Sequence, residues 1–323
     1  MNPLIAINMA VFAVVFSLFA LEAGIALLNL VSYREYGGRI TDYIARSWAI
    51  SGTFVVFYVV NFEATFPLIL AVAGTIYIVP VLIAGLFIIF RNAFIAYSDY
   101  AGDMVTKIEY TRIYAIATLA AIFILVSVLG STVTGIGIDL GTLSINYPVM
   151  LLSPYNLLMF VCAAAVSVTA VLMFFGIEKP FGASKLLAIA SLLITVLATF
   201  LLATLSYAPF VAQGLATNWY YLVPAIVMFL VSATMYLTGK KKGINIATFA
   251  FLVTTVLGFE TLGYPKIFAG ALSIKTFLTS ASGSIASLII TAGTFAVLVI
   301  GVGLLVYAHS KYSKARKTRR YKA

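Results

Sequence analysis

An all-α fold that crosses a membrane many times is predicted for this 323-residue chain by three observations. Hydrophobic residues make up 63% of it and charged residues 9%, with a mean hydropathy of +1.11. Uncharged runs are long enough to cross a bilayer. Lys and Arg are concentrated in alternate connections between those runs. A water-soluble domain of this composition would expose large apolar patches, whereas a hydrocarbon core about 30 Å thick asks for about 20 apolar residues per helix.

Hydropathy gives nine spans, at about residues 4–31, 44–62, 67–90, 112–134, 154–175, 184–206, 217–238, 244–262 and 284–308. The clearest is 67–90, where residues 68–90 carry no charge. It is reached from the second span through Asn61-Phe62-Glu63-Ala64-Thr65-Phe66-Pro67, a turn that allows only an antiparallel return. Pro67 suits the first turn of a helix and disfavours helix in the residue before it. Pro80 lies inside the third span and is expected to kink it, and Arg91 is expected to close it. The first span is predicted to remain as a helix, because Met1-Asn2-Pro3 lacks the basic segment of a signal peptide.

The formal charge of +10 does not point to nucleic acid, because its distribution follows the spans. Seven basic residues fall in 311–322, a tail expected to lie against anionic lipid. With nine spans and that tail in the cytoplasm, 18 of the 20 Lys and Arg residues fall on the cytoplasmic side. Only Lys266 and Lys275 fall outside. The N-terminus is therefore predicted outside and the C-terminus in the cytoplasm, with residues 1–310 forming the membrane domain and 311–323 the basic tail. Among the outer connections only 136–153 and 263–283 are long. Their Gly137, Gly141, Pro148, Pro265, Gly270 and Gly283 predict turns that cap the outer face. Asn2-Pro3-Leu4 opens the first span and Ser153-Pro154-Tyr155 the fifth, a faint echo that fits two four-helix bundles plus a ninth, peripheral helix.

Chemistry is sparse. Glu22, in Leu21-Glu22-Ala23-Gly24, is the one acid well inside a span, and two readings fit it: a proton-relay carboxylate or a hydrogen-bonded packing residue. Glu63 and Glu260 fall at outer span ends, where solvation of a carboxylate is the expectation. Haem held by two axial side chains needs facing imidazoles, and the only histidine is His309, at the inner end of the last span. Cys162 is the only cysteine, expected as a small buried thiol. No phosphate loop, metal-spaced His/Glu pair or nucleophile triad is present in the sequence.

Several motifs together resemble subunit II of cytochrome bd quinol oxidases. Trp48 opens the second helix, Phe66-Pro67 leads into the third, Pro80 interrupts it and Arg91 closes it in Phe90-Arg91-Asn92-Ala93-Phe94. Leu151-Leu152-Ser153-Pro154-Tyr155-Asn156 is similar to the family's opening of helix five. Gly263-Tyr264-Pro265-Lys266-Ile267 with Leu278-Thr279-Ser280-Ala281-Ser282-Gly283-Ser284 is similar to its stretch between the last two helices. The family's acidic pair in helix one is reduced here to Glu22, and its Trp-Asp-Gly-Asn-Glu run becomes Trp48-Ala49-Ile50-Ser51-Gly52, without acids.

The resemblance implies a haem-free subunit of a terminal oxidase that reduces O2 with electrons from quinol. Haems b and d would sit on a larger, homologous subunit I, against which this chain packs. It implies Glu22 and Ser51 as proton-path residues, no haem or metal ligand on this chain, contact with the bilayer and a bound quinone or lipid, and a place in the plasma membrane. The rival is a secondary transporter, or the membrane anchor of another quinone-linked redox complex. A transporter builds its midplane site from polar residues and broken helices, and here these amount to Glu22, Pro80, Pro224 and scattered hydroxyls.

Overall fold

The structure is a computed structural model that describes residues 3–33, 38–101, 103–264 and 266–277. Of the last apolar run it describes 286–297 apart from 288, and residue 300. Pro265, residues 278–285, His309 and the basic tail lie outside the described residues.

The chain is built of α-helices: α1 (Pro3–Ser32), α2 (Gly38–Thr65), α3 (Pro67–Tyr100), α4 (Met104–Thr134), a short α5 (Tyr147–Leu152), α6 (Pro154–Phe175), α7 (Lys185–Tyr207), α8 (Pro209–Asn218), α9 (Val223–Leu237) and α10 (Ile244–Gly263). Seven stretches of the described residues are long and apolar enough to cross a membrane. These are α1, α4, α6, α7, α10, residues Ala71–Ser98 of α3, and Pro209–Leu237, which runs through α8 and α9. Within α2 the apolar stretch is Phe54–Glu63.

The helix ends follow from the sequence. Ser153 accepts from the Asn156 N–H at 3.2 Å with Pro154 at the first helical position, as expected for the opening of α6. Asp103 accepts from the Thr106 N–H at 2.8 Å and caps α4. Gly135 and Gly176 end α4 and α6 with φ of 73° and 61°, a left-handed turn that glycine takes without Cβ strain. Phe66 alone separates α2 from α3, and Pro67 begins α3, so the antiparallel return is as tight as the turn residues require.

Four expected boundaries are corrected. Arg91 does not close the third span: α3 continues unbroken through Pro80 and Arg91 to Tyr100. Its 34 residues rise roughly 50 Å, well beyond a hydrocarbon core. Trp48 does not open α2, which begins ten residues earlier at Gly38. α4 begins at Met104 rather than near 112, because Asp103 supplies its cap. The span expected at 217–238 begins at Pro209 and is broken by a 3-10 turn at Trp219–Leu222. In each case hydropathy located the apolar core, while hydrogen bonding and caps carried the helix past it.

Packing closes α1, α2, α3 and α4 into one ring, and α6, α7, α9 and α10 into a second, joined through α1 against α6 and α10. Half of the α1 span and 56% of the α6 span are buried, against 17% for α7, which places α1 and α6 at the centre. The join is close because of Gly24: a Cβ there would stand 2.3 Å from the Ser167 carbonyl oxygen of α6. Around it Leu21, Ile25 and Leu28 of α1 meet Val168, Val171 and Leu172 of α6 in the main apolar core.

The long connections expected to cap one end do so as two small antiparallel hairpins. β1 (Ile138–Asp139) pairs with β2 (Ser144–Ile145), and β3 (Lys266–Ile267) with β4 (Leu272–Ser273). One follows α4 and the other α10, so the two rings end alike. The tip of the second hairpin donates Phe268 N to Thr132 O at 2.7 Å and Ala269 N to Val133 O at 2.9 Å, tying it to the last turn of α4. The opposite end carries the described basic connections, Lys107, Arg112, Lys179, Lys185 and Lys240 to Lys242. These ends are called the hairpin end and the basic end.

Candidate functional site

α1 runs from the hairpin end, and Glu22 lies about two-thirds of the way along it. The apolar run around Glu22 keeps the helix in the membrane, and the small residues Ala23 and Gly24 let neighbouring helices close over it. Three helices converge there. Ser51 of α2 donates to Glu22 Oε1 at 2.7 Å, Arg91 Nη1 of α3 donates to Oε2, and Arg91 Nη2 lies 3.4 Å from Ser51 Oγ. Arg91 is 1% exposed, and its guanidinium carbon stands 5.2 Å above the ring of Phe19, one helical turn from Glu22. The two expected proton-path residues, Glu22 and Ser51, are thus directly bonded.

The main residue that the sequence reading misplaced is Arg91. A buried carboxylate in hydrocarbon is costly unless paired and hydrogen-bonded; Arg91 supplies the charge and one donor, and Ser51 the second donor. Because α3 continues past Arg91, the guanidinium points into the ring rather than into the headgroup region. The signal was available: the acid on α1 and the base closing the apolar run on α3 sit where two parallel helices reach similar depth. The arrangement neutralises itself, fixes α1, α2 and α3 against one another, and presents a hydrogen-bonded carboxylate next to a hydroxyl. Toward the basic end, Asn29, Tyr33, Asn92 and Arg91 Nε hold buried polar atoms without a hydrogen-bond partner among the described residues, and the Tyr114 hydroxyl makes no well-formed hydrogen bond.

A second polar cluster was not foreseen. Near the hairpin end Asn8 donates to Thr65 Oγ1 at 3.0 Å, and Asn61 donates to Asn8 Oδ1. Ser287 lies 2.9 Å from Thr65 Oγ1, and Thr291 donates to Asn61 Oδ1. This uncharged network stitches α1 and α2 to the last apolar run. Amides and hydroxyls at helical spacing raise no alarm in a hydropathy scan, which is why it was missed.

The other expected positions divide. Pro67 and Pro154 sit at first helical positions, and Pro80 is buried within α3. The side chain of Trp48 and all of His309 lie outside the described residues. Glu63 is exposed, as expected, and Cys162 is a buried free thiol. Glu260 is a correction: its Oε2 is buried and unpartnered among the described residues, on a helix that packs against α1. Among the described residues no three His, Cys, Asp or Glu side chains gather as metal ligands.

Fold and site together define a multi-pass membrane protein with a buried, internally compensated ion pair. The chain belongs to the cytochrome bd terminal oxidase subunit II family, whose profile matches residues 2–310. It is a protein of the cytoplasmic membrane. A chain in the structure of bd oxidase from Geobacillus thermodenitrificans has the same fold, with a TM-score of 0.75 at 16% identity, covering 96% of this chain and 99% of that one. A search of curated proteins finds no match to the sequence.

Proposed function

We propose that this chain is the haem-free second subunit of a bd-type quinol:O2 oxidase, packed against a homologous haem-bearing subunit I that it stabilises. Electrons pass from quinol to oxygen entirely within that partner, on haems b and d. The observation that carries the reading is the family match over nearly the whole chain. The partner would seat on the α2–α3 side. There Val56, Val60, Leu82, Leu86 and Ile89 are all exposed, and lipid or a bound quinone would cover what the partner leaves.

In this reading the last apolar run, 284–308, is a ninth span. The N-terminus lies outside and the basic end faces the cytoplasm, consistent with the Lys and Arg distribution. A proton path through this chain would run from the basic end along Asn29 to Glu22 and Ser51. These are the residues whose side chains can pass a proton by hydrogen-bond exchange, with Arg91 holding the carboxylate in place.

Purification of the complex followed by separation of the chains tests the assignment. The reduced-minus-oxidised haem spectrum is expected to follow the partner, and stoichiometric haem on this polypeptide would refute it. For the proton path, Glu22→Gln is expected to slow oxygen reduction per assembled haem, and unchanged turnover removes Glu22 from the path.

A further inference from the structure

The two buried polar clusters lie on the shared face of α1 and α2 and do not meet. Along α2 that face reads Ser51, Phe54, Tyr58, Asn61, Thr65, spaced by three or four residues as one helical stripe requires. The antiparallel stripe on α1 reads Glu22, Phe19, Val15, Asn8. At about 1.5 Å per residue, Ser51 and Asn61 stand roughly 15 Å apart along α2. Buried Val15, Phe19 and Phe54 fill the space between, backed by Leu18, Val55 and Ile88. Tyr58 forms the upper edge of this layer. Phe12 meets its ring edge-on at 5.2 Å. Glu260 stands near the hairpin end of α10, which packs on α1, and its Oε2 atom is buried without a partner among the described residues. The basic side of the apolar layer thus has Glu22 with Ser51, and the hairpin side has the Tyr58 hydroxyl at its edge and the Glu260 carboxyl on the neighbouring α10.

We infer that Val15, Phe19 and Phe54 form a proton-tight septum between two buried proton-binding compartments, Glu22–Ser51 and Glu260–Tyr58. Hydroxyls, carboxyls and the waters they hold can pass protons along a hydrogen-bonded chain, and a constriction lined by apolar side chains sheds water and breaks that chain. Polar groups inside a span are costly and are placed where they serve. Two such groups along α1 and α2, the second completed by Glu260 of α10 and separated from the first by about two helical turns of hydrocarbon, allow proton exchange with either face and forbid transfer across. The inference goes beyond the role toward a haem-bearing partner, since it requires only a membrane that sustains a proton gradient.

The test uses the full-length protein, with whatever subunits accompany it, in liposomes enclosing a pH-sensitive dye under a potassium diffusion potential. Phe54→Asn is expected to raise passive proton entry several-fold, Phe54→Leu to leave it unchanged, and Phe54→Asn with Glu260→Gln to return it to the parental rate. If Phe54→Asn does not assemble, Val15→Asn opens the same layer. Assembled asparagine variants as tight as the parent would overturn the septum, as would release of an entrapped uncharged dye together with the protons. A leak that persists with Glu260→Gln would overturn the role of Glu260. None of these readouts depends on haem content or oxygen turnover.

Discussion

Replacing Glu22 by Gln removes one charge from the centre of the α1–α4 ring while keeping the shape of the side chain and its bond from Ser51. Arg91 is then left 1% exposed, with its guanidinium facing an amide oxygen and the Phe19 ring. A guanidinium cannot escape by losing its proton, so the full cost of an uncompensated buried charge falls on the fold, about 3–5 kcal/mol. At 1.4 kcal/mol per tenfold this is roughly a hundred- to several-thousand-fold in the folding equilibrium. Arg91→Leu is expected to cost less, and less still as pH falls, because the orphaned Glu22 can take up a proton.

The double variant Glu22→Leu with Arg91→Leu loses both charges and both desolvation penalties, and should return to within about 1–2 kcal/mol of the parent. Denaturant unfolding of the parent, Glu22→Leu, Arg91→Leu and the double variant in mixed micelles closes the cycle and gives the coupling energy directly, with an expected value of at least about 2 kcal/mol. Additive single effects, each under about 1 kcal/mol, would refute the claim that the pair is buried and mutually compensating. The comparison also bears on the proton path, since turnover of Glu22→Gln must be normalised to assembled complex.

Gly24→Ala and Gly214→Ala should each destabilise by about 1–3 kcal/mol, because the new methyl would meet backbone at Ser167 and at Leu262, which side-chain rearrangement cannot relieve. Gly85→Ala meets nothing within 4 Å and should be neutral or stabilising by up to about 1 kcal/mol; thermal unfolding of the three distinguishes backbone contact from helix propensity. Ala269, at φ 53° in the second hairpin, should become more stable as Gly by about 1 kcal/mol, read as slower exchange of the Phe268 and Ala269 amides bonded to α4. At the cap of α4, hydrogen bonds from the Thr106 N–H and hydroxyl hold the Asp103 carboxyl below its ordinary value of 3.8. Its folded value being depressed, the cap's contribution is present above that ordinary value and is lost as pH falls through the lower folded one. Hydrogen exchange in the first turn of α4 should accelerate over that window, and an Asp103→Asn variant should not show the change.

Much of the architecture was readable because hydrocarbon imposes a simple rule: apolar runs of sufficient length become helices. The Pro67 and Ser153-Pro154 openings were readable for a local reason, since cap and first-turn preferences act within four residues. Helix ends were not. α3 passes Arg91 because the guanidinium finds Glu22 on another helix, and a hydropathy scan treats every arginine as an end. Glu260 was assigned to solvent by its place near a span end, yet its Oε2 is buried. The Asn8–Asn61–Thr65 network and the close approach at Gly24 depend on which faces of which helices meet, and no single helix carries that information.

By itself the sequence determined that this chain lives in a bilayer as a helical bundle with its positive charge gathered toward one side, because the solvation of apolar and charged groups is a property of each segment alone. It also placed Glu22 well inside a span. Only the tertiary structure decided that Glu22 is answered by Arg91 and Ser51, and that a layer of hydrocarbon parts this triad from the polar groups beyond it. Pairing in a medium without water is a relation between helices, set by how they pack.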